Sequence, residues 1–103
     1  MSSTSLAIVT DAWTPQVNGV VKTLQKTRDA LEQSGYQVTM LTPADHRTIP
    51  CPSYPEIRLA LRAGPVIRRQ LVALAPDHIH IATEGPLGLA ARRFCLDNGL
   101  AFT

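Results

Sequence analysis

The sequence predicts an α/β fold built on a doubly wound parallel sheet. Short apolar runs of strand character alternate along the chain with segments whose apolar residues recur at helical spacing. The first run, Leu6–Thr10, is apolar almost without interruption, as in a strand covered on both faces. Glycines and prolines mark the changes of period, notably Gly35, Pro43, Pro76 and Gly99. Strands joined through helices run parallel with right-handed crossovers, so helices are expected on both faces of the sheet.

After the first strand, residues 11–19 form a loop rich in turn chemistry. Val17, Val20, Val21, Leu24 and Leu31 then repeat at helical spacing, which predicts about four turns of helix stopped by Gly35. Tyr36–Thr42 alternates and is β-rich, giving a second strand ended by Pro43. Residues 43–55 hold four of the eight prolines and read as an extended connection with few backbone donors. Glu56–Leu61 is the weakest element, read as a third strand. Pro65 marks a first helical position, and Val66, Ile67, Leu71 and Leu74 follow at helical spacing up to the break at Pro76 and Asp77. His78–Ala82 is a fourth strand. Gly85 and Pro86 open a last helix, with Leu87, Ala90, Ala91 and Phe94 on one face and Gly99 as its stop. Leu100–Thr103 reads as the start of a fifth strand. A sheet whose last strand has just begun leaves an unpaired edge, so further chain is expected downstream.

A chain of 103 residues fits one domain, and 45% hydrophobic residues suffice for a core. A charged fraction of 17% argues against disorder. A net charge of +2 is too small to mark a nucleic-acid binder, and no nucleic-acid partner is expected. The bases are uneven: all six in residues 51–103 are arginines, against four acids. Cys51 and Cys95 have neither zinc-site nor CxxC spacing and read as free thiols in a reducing compartment. No apolar run approaches the roughly 18 residues of a membrane span, and the start lacks a basic n-region. A cytoplasmic location is the expectation.

In such a sheet, ligands sit at the carboxyl ends of the strands, where strand order reverses. The loop after the first strand lies there and leads through Asn18-Gly19 into a helix. A helix N-terminus presents unpaired N–H groups and the positive end of the dipole, so it attracts a phosphate. Gly19 lets the backbone approach a ligand, and Asn18 is a good N-cap. A single glycine in a strand-to-helix loop is as often just a tight turn. The loop carries neither G-x-G-x-x-G nor G-x-x-x-x-G-K-[ST], which disfavours a dinucleotide oxidoreductase and a P-loop NTPase.

Two segments carry a family resemblance. One runs from Ile8 to Leu24 and contains Pro15-Gln16-Val17-Asn18-Gly19-Val20. The other is His80-Ile81-Ala82-Thr83-Glu84-Gly85-Pro86-Leu87-Gly88-Leu89-Ala90-Ala91. Together they resemble the N-terminal domain of bacterial family 4 retaining glycosyltransferases, similar to lipid and phosphatidylinositol mannosyltransferases. The resemblance covers essentially the whole chain. It implies a Rossmann-like domain forming the truncated N-terminal half of a GT-B fold, over residues 1–103, with the donor-binding C-terminal domain absent. It implies a hexose, mannose-like, moved from a nucleotide-sugar donor to a lipid or saccharide acceptor by front-face transfer, with no metal and no cofactor. It places Asn18, Gly19 and Val20 toward the donor diphosphate, and Asp11, Trp13, Glu84 and Gly85 on the acceptor side. The family's basic pair and Glu-x7-Glu motif lie in the other half, so no catalytic residue is expected here, and the fragment alone is expected to be inactive.

Other residues divide between site and scaffold. His78 and His80 share one strand face, but a metal site needs a third ligand, so they read as satisfied core or crevice groups. Asp11 and Trp13 have ordinary readings as a capped turn and a core aromatic. Glu84 equally suits the start of a helix, by its dipole. Lys22, one turn into the first helix, reads as a solvated lysine within reach of a phosphate. Arg62, Arg68, Arg69, Arg92 and Arg93 lie on or beside helices and face water, or an anionic membrane in peripheral contact. The competing class is a non-enzymatic Rossmann-like nucleotide- or phosphate-binding module. A receiver domain would need paired acids after the first strand, where Asp11 stands alone.

Overall fold

The computed structural model describes residues 4–12, 19–45, 48–50, 58–60, 62–83 and 85–103. Its elements are β1 (Ser5–Val9), α1 (Gly19–Gln33), β2 (Gln37–Leu41), a 3-10 turn (Pro43–Asp45), β3 (Thr48–Pro50), β4 (Arg58–Ala60), α2 (Ala63–Leu74), β5 (His78–Ile81) and α3 (Pro86–Asp97). The chain is α/β and Rossmann-like. β1 is the centre of a parallel sheet in the order β2-β1-β5. Ala7 lies level with Thr39 on one side and Ile79 on the other.

The period of two along β1 splits its side chains between two layers. Ala7 and Val9 join Leu41 and Ile79 in a core closed by Ile67 and Leu71 of α2 and by Leu87, Ala91, Phe94 and Cys95 of α3. Ile8, only 1% exposed, points to the opposite face, where α1 buries Val21 and Leu24. Each fully buried aliphatic side chain contributes about 1.5–3 kcal/mol. The continuous apolar run in β1 is thus explained by helices on both sides.

The helix ends follow the glycines. At the end of α1, Gly35 has φ +96°. There the Tyr36 N–H donates to the Leu31 carbonyl and the Gly35 N–H to that of Glu32, both at 3.1 Å, a Schellman closure. Gly99, φ +65°, ends α3 the same way, with the Leu100 N–H donating to the Cys95 carbonyl at 2.8 Å. α2 ends instead on Ala75 in the left-handed region, φ 45°, with its N–H on the Leu71 carbonyl. Asp77 does more than stop α2. Its carboxylate accepts from the Ser5 N–H at 2.7 Å and the Ser5 hydroxyl at 3.2 Å, fastening the start of β5 to the start of β1.

Three sequence expectations need correction. The third strand, expected over Glu56–Leu61, is β4, and it does not enter the parallel sheet. It pairs antiparallel with β3, inside the stretch read as an extended connection. The seven residues between Pro50 and Arg58 are too few for a parallel crossover, which takes a dozen or more. Residues 100–103 are not a regular strand. Even so, the Ile81 N–H donates to the Thr103 carbonyl at 2.8 Å and the Thr103 N–H to that of Ile79 at 3.1 Å, so the backbone at Thr103 lies beside β5. Finally, α2 starts at Ala63, which puts Pro65 third in the helix, still within the turn where N–H groups lack helical acceptors.

Candidate functional site

The carboxyl end of β1 is tied to β2 on one side and β5 on the other by hydrogen bonds that extend the sheet. The Thr10 N–H donates to the Leu41 carbonyl at 3.0 Å and the Ala82 N–H to that of Val9 at 2.9 Å. Past these bonds the chain leaves β1. The Thr10 hydroxyl makes the turn, accepting from the Ala12 N–H at 3.0 Å and donating to the Ala12 carbonyl at 2.9 Å.

Asp11 sits at the junction of the two loops and is 9% exposed. Its Oδ1 accepts the Leu87 N–H at 2.7 Å, and its Oδ2 accepts the Gly88 N–H at 3.2 Å. Oδ2 also accepts the Thr83 hydroxyl at 2.7 Å. The Asp11 N–H donates back to that hydroxyl oxygen, again at 2.7 Å. No acid lies in the first turn of α3 itself. The negative charge at its N-terminus comes from Asp11, 76 positions before Leu87. Hydrogen bonds to a charged group contribute about 1.5–3 kcal/mol each.

Two glycines make room for this arrangement. A Cβ on Gly85 would stand 2.5 Å from the Asp11 carboxyl carbon, and one on Gly88 would overlap the Thr83 carbonyl oxygen. Gly19 differs from both. It is exposed, none of the described residues lies within 4 Å of where its Cβ would stand, and its φ is not positive. Among the described residues, neither packing nor backbone conformation requires a glycine there.

Gly19 instead borders a cleft of about 800 Å³. One wall is the start of α1, with Gly19, Val20, Thr23 and Leu24. The other is β5 and the turn after it, with His80, Ile81, Ala82 and Thr83. Asp11 and Ala12 close the end between them. No acid lies in the first turn of α1, and Lys22 in that turn is exposed. The two helix starts at this end of the sheet therefore differ. A carboxylate of the chain occupies that of α3, whereas no acid lies in the first turn of α1, which borders the cleft at Gly19 and Val20.

Of the residues expected at the donor side, Gly19 and Val20 lie together on the cleft wall; Asn18 is outside the described residues. Of those expected on the acceptor side, Asp11 borders the cleft with its carboxylate turned to α3 and Thr83, and Gly85 packs against that carboxylate. Trp13 and Glu84 are outside the described residues, as are Cys51 and His46. His80 lines the cleft, and its Nδ1 meets the Thr103 hydroxyl at 3.0 Å. His78 Nε2 meets the same hydroxyl, also at 3.0 Å. Thr83 was not singled out from sequence, although it makes two of the four hydrogen bonds to Asp11. The signal available was its place, the first hydroxyl past a strand and two residues before a glycine. Among the described residues, no group of three His, Cys, Asp or Glu side chains is placed to hold a metal ion.

Comparison with protein families gives a match to Glycosyltransferase Family 4 over residues 17–103. A search of curated proteins and a search of solved structures gave no match.

Proposed function

Since this chain belongs to Glycosyltransferase Family 4, we propose that it is the acceptor-side, N-terminal half of a retaining glycosyltransferase. Its reaction moves a hexose, mannose-like, from a nucleotide-sugar to a lipid or saccharide acceptor. The observation that carries this reading is Gly19, on the cleft wall with open space where a side chain would stand. A residue there with a side chain would hold a ligand away from the α1 backbone. Glycine lets the backbone at Gly19 and Val20 come close to a diphosphate.

In this reading Asn18, Gly19 and Val20 approach the donor diphosphate, and Lys22 adds a positive charge within the same turn. Dipoles fixed in advance stabilise a leaving diphosphate without having to reorient. Asp11, Trp13, Glu84 and Gly85 belong to the acceptor side. The bases that complete the leaving-group site belong to a donor-binding half outside this chain. We place the protein in the cytoplasm, a reducing compartment that the buried free thiol of Cys95 suits.

The test is a transfer assay on the full-length protein, with UDP-glucose and GDP-mannose as donors and octyl glycosides as acceptors. A product with the donor's anomeric configuration is the expected result. Absence of transfer from both donors by folded protein overturns the reading. Gly19→Leu tests the central observation. It should leave the fold intact and raise the donor KM about tenfold or more, the equivalent of one lost contact to a charged group.

The membrane side of the proposal concerns the outer face of α2 and α3. Arg68, Arg69, Arg92 and Arg93 are exposed there, as are Val72, Leu89 and Leu96. Basic side chains near an anionic surface contribute about 1 kcal/mol each, which supports peripheral contact with a lipid acceptor's membrane. Among the described residues no helix is long and apolar enough to cross one. Sedimentation with vesicles containing phosphatidylglycerol, compared with phosphatidylcholine alone, should recover more protein in the first. Equal recovery rejects the contact.

A further inference from the structure

We infer that Asp11 is a positioning residue: it sets the segment 83–88, the acceptor side of the cleft, relative to the end of β1. This rests on the acceptor-side reading above. The inference comes from how the Asp11 carboxylate is used. A carboxylate with its lone pairs directed into the cleft would meet substrate hydroxyls. Here Oδ1 takes the Leu87 N–H, while Oδ2 takes the Gly88 N–H and the Thr83 hydroxyl. Three donors from one segment converge on one buried side chain of another, and a fourth bond, from the Asp11 N–H to Thr83, closes the ring.

The geometry fixes position as well as stability. The Thr83 hydroxyl is held from two directions, because it accepts from the Asp11 backbone and donates to the Asp11 side chain. Gly85 approaches so closely that a single carbon added to it would meet the carboxylate. Thr83 and Gly85 are therefore both seated against Asp11. Thr83 itself lines the cleft, so a displacement of that seating moves the cleft wall.

Asparagine is the informative replacement. Its size matches, but it offers one acceptor oxygen and an NH2 group in place of two acceptor oxygens. With the oxygen on the Leu87 amide, the NH2 faces the Gly88 N–H, donor against donor. The Thr83 hydroxyl loses its acceptor as well. Thr83→Val removes the hydroxyl's bond to Oδ2 from the other partner, together with the bond from the Asp11 N–H, and Thr83→Ser keeps both.

The experiment has two arms. The first uses this chain and amide hydrogen exchange, with no substrate. Asp11→Asn and Thr83→Val should speed exchange at Ala12 and at residues 83–88 about tenfold or more, with Thr83→Ser matching the wild type. Acceleration confined to the first turn of α3, with Ala12 unchanged, would reduce Asp11 to a helix cap and overturn the inference. The second arm uses the full-length protein with octyl α-mannoside as acceptor probe. Asp11→Asn and Thr83→Val should raise the acceptor KM about tenfold and leave the donor KM within about twofold, with Thr83→Ser as wild type. A purely structural loss lowers the amount of active protein and moves neither KM; that result also overturns the inference. If wild-type protein transfers nothing, the glycosyltransferase reading fails, and the exchange arm alone decides the role of Asp11. Asp11→Ala is the harsher variant. Should it not fold, Thr83→Val still tests the link between Asp11 and Thr83.

Discussion

The Thr83 hydroxyl is bonded twice to Asp11, accepting from its N–H and donating to its Oδ2, each at 2.7 Å. These residues are 72 positions apart, and the pair is part-buried where the loops after β1 and β5 meet. Thr83→Val should therefore destabilise the domain by about 1–3 kcal/mol, the cost of leaving buried partners unpaired. Thr83→Ser should stay within about 0.5 kcal/mol of wild type. Urea midpoints at unchanged slope measure both; equal midpoints for wild type and Thr83→Val would contradict the pairing.

Gly88→Ala and Gly85→Ala should each cost about 1–3 kcal/mol, since the added carbon meets the Thr83 carbonyl in one case and the Asp11 carboxylate in the other. Gly64→Ala is the control. Its new methyl would enter open space in α2, so the expected change lies between zero and a gain of about 1 kcal/mol. Thermal melts of the three variants should separate them in that order.

Ala75 ends α2 in the left-handed region at φ 45° and is exposed, so its side chain brings strain without packing. The left-handed region costs a residue with a Cβ about 1–2 kcal/mol, and glycine's greater freedom when unfolded returns part of that. Ala75→Gly should raise stability by about 0.5–1 kcal/mol. A lower melting temperature would show that the strain is relieved some other way.

Burial pushes the Cys95 thiol above its ordinary value of 9.0. The folded chain thus favours the neutral thiol. Its contribution is complete below 9.0 and is lost as pH rises from there through the folded value. The stability difference between wild type and Cys95→Ala should narrow as pH rises above 9.0. In the native state iodoacetamide should modify Cys95 slowly, with rapid modification once urea exposes it. Rapid native labelling, located by peptide mass, would contradict the burial.

What could be read from the sequence was what nearest neighbours along the chain determine. The apolar run of β1, the helical spacing of Val20, Val21 and Leu24, and the stops at Gly35 and Gly99 all act within a turn or two, and all have counterparts in the fold. The β3–β4 pairing was missed because three-residue strands are too short to display a period. Asp11 was legible as a loop acid but not as the partner of α3, because its donors come from residues 83–88. Gly85 was legible as the opening of a helix, but its contact with Asp11, like that of Gly88 with Thr83, is made only in the fold. Gly19 could not be separated from an ordinary turn glycine until the space around it was known.

Among the described residues, the sheet is covered unequally: α2 and α3 pack on one face and α1 on the other. The hollow between α1 and β5 follows from that imbalance of layers, whichever side chains line it. Thr23 and His80 stand on its walls, outside the packed core. Changes at these positions would alter the lining of the hollow and leave the packed core as it is. A lineage of such domains would keep one shape and diversify its chemistry at little risk to folding.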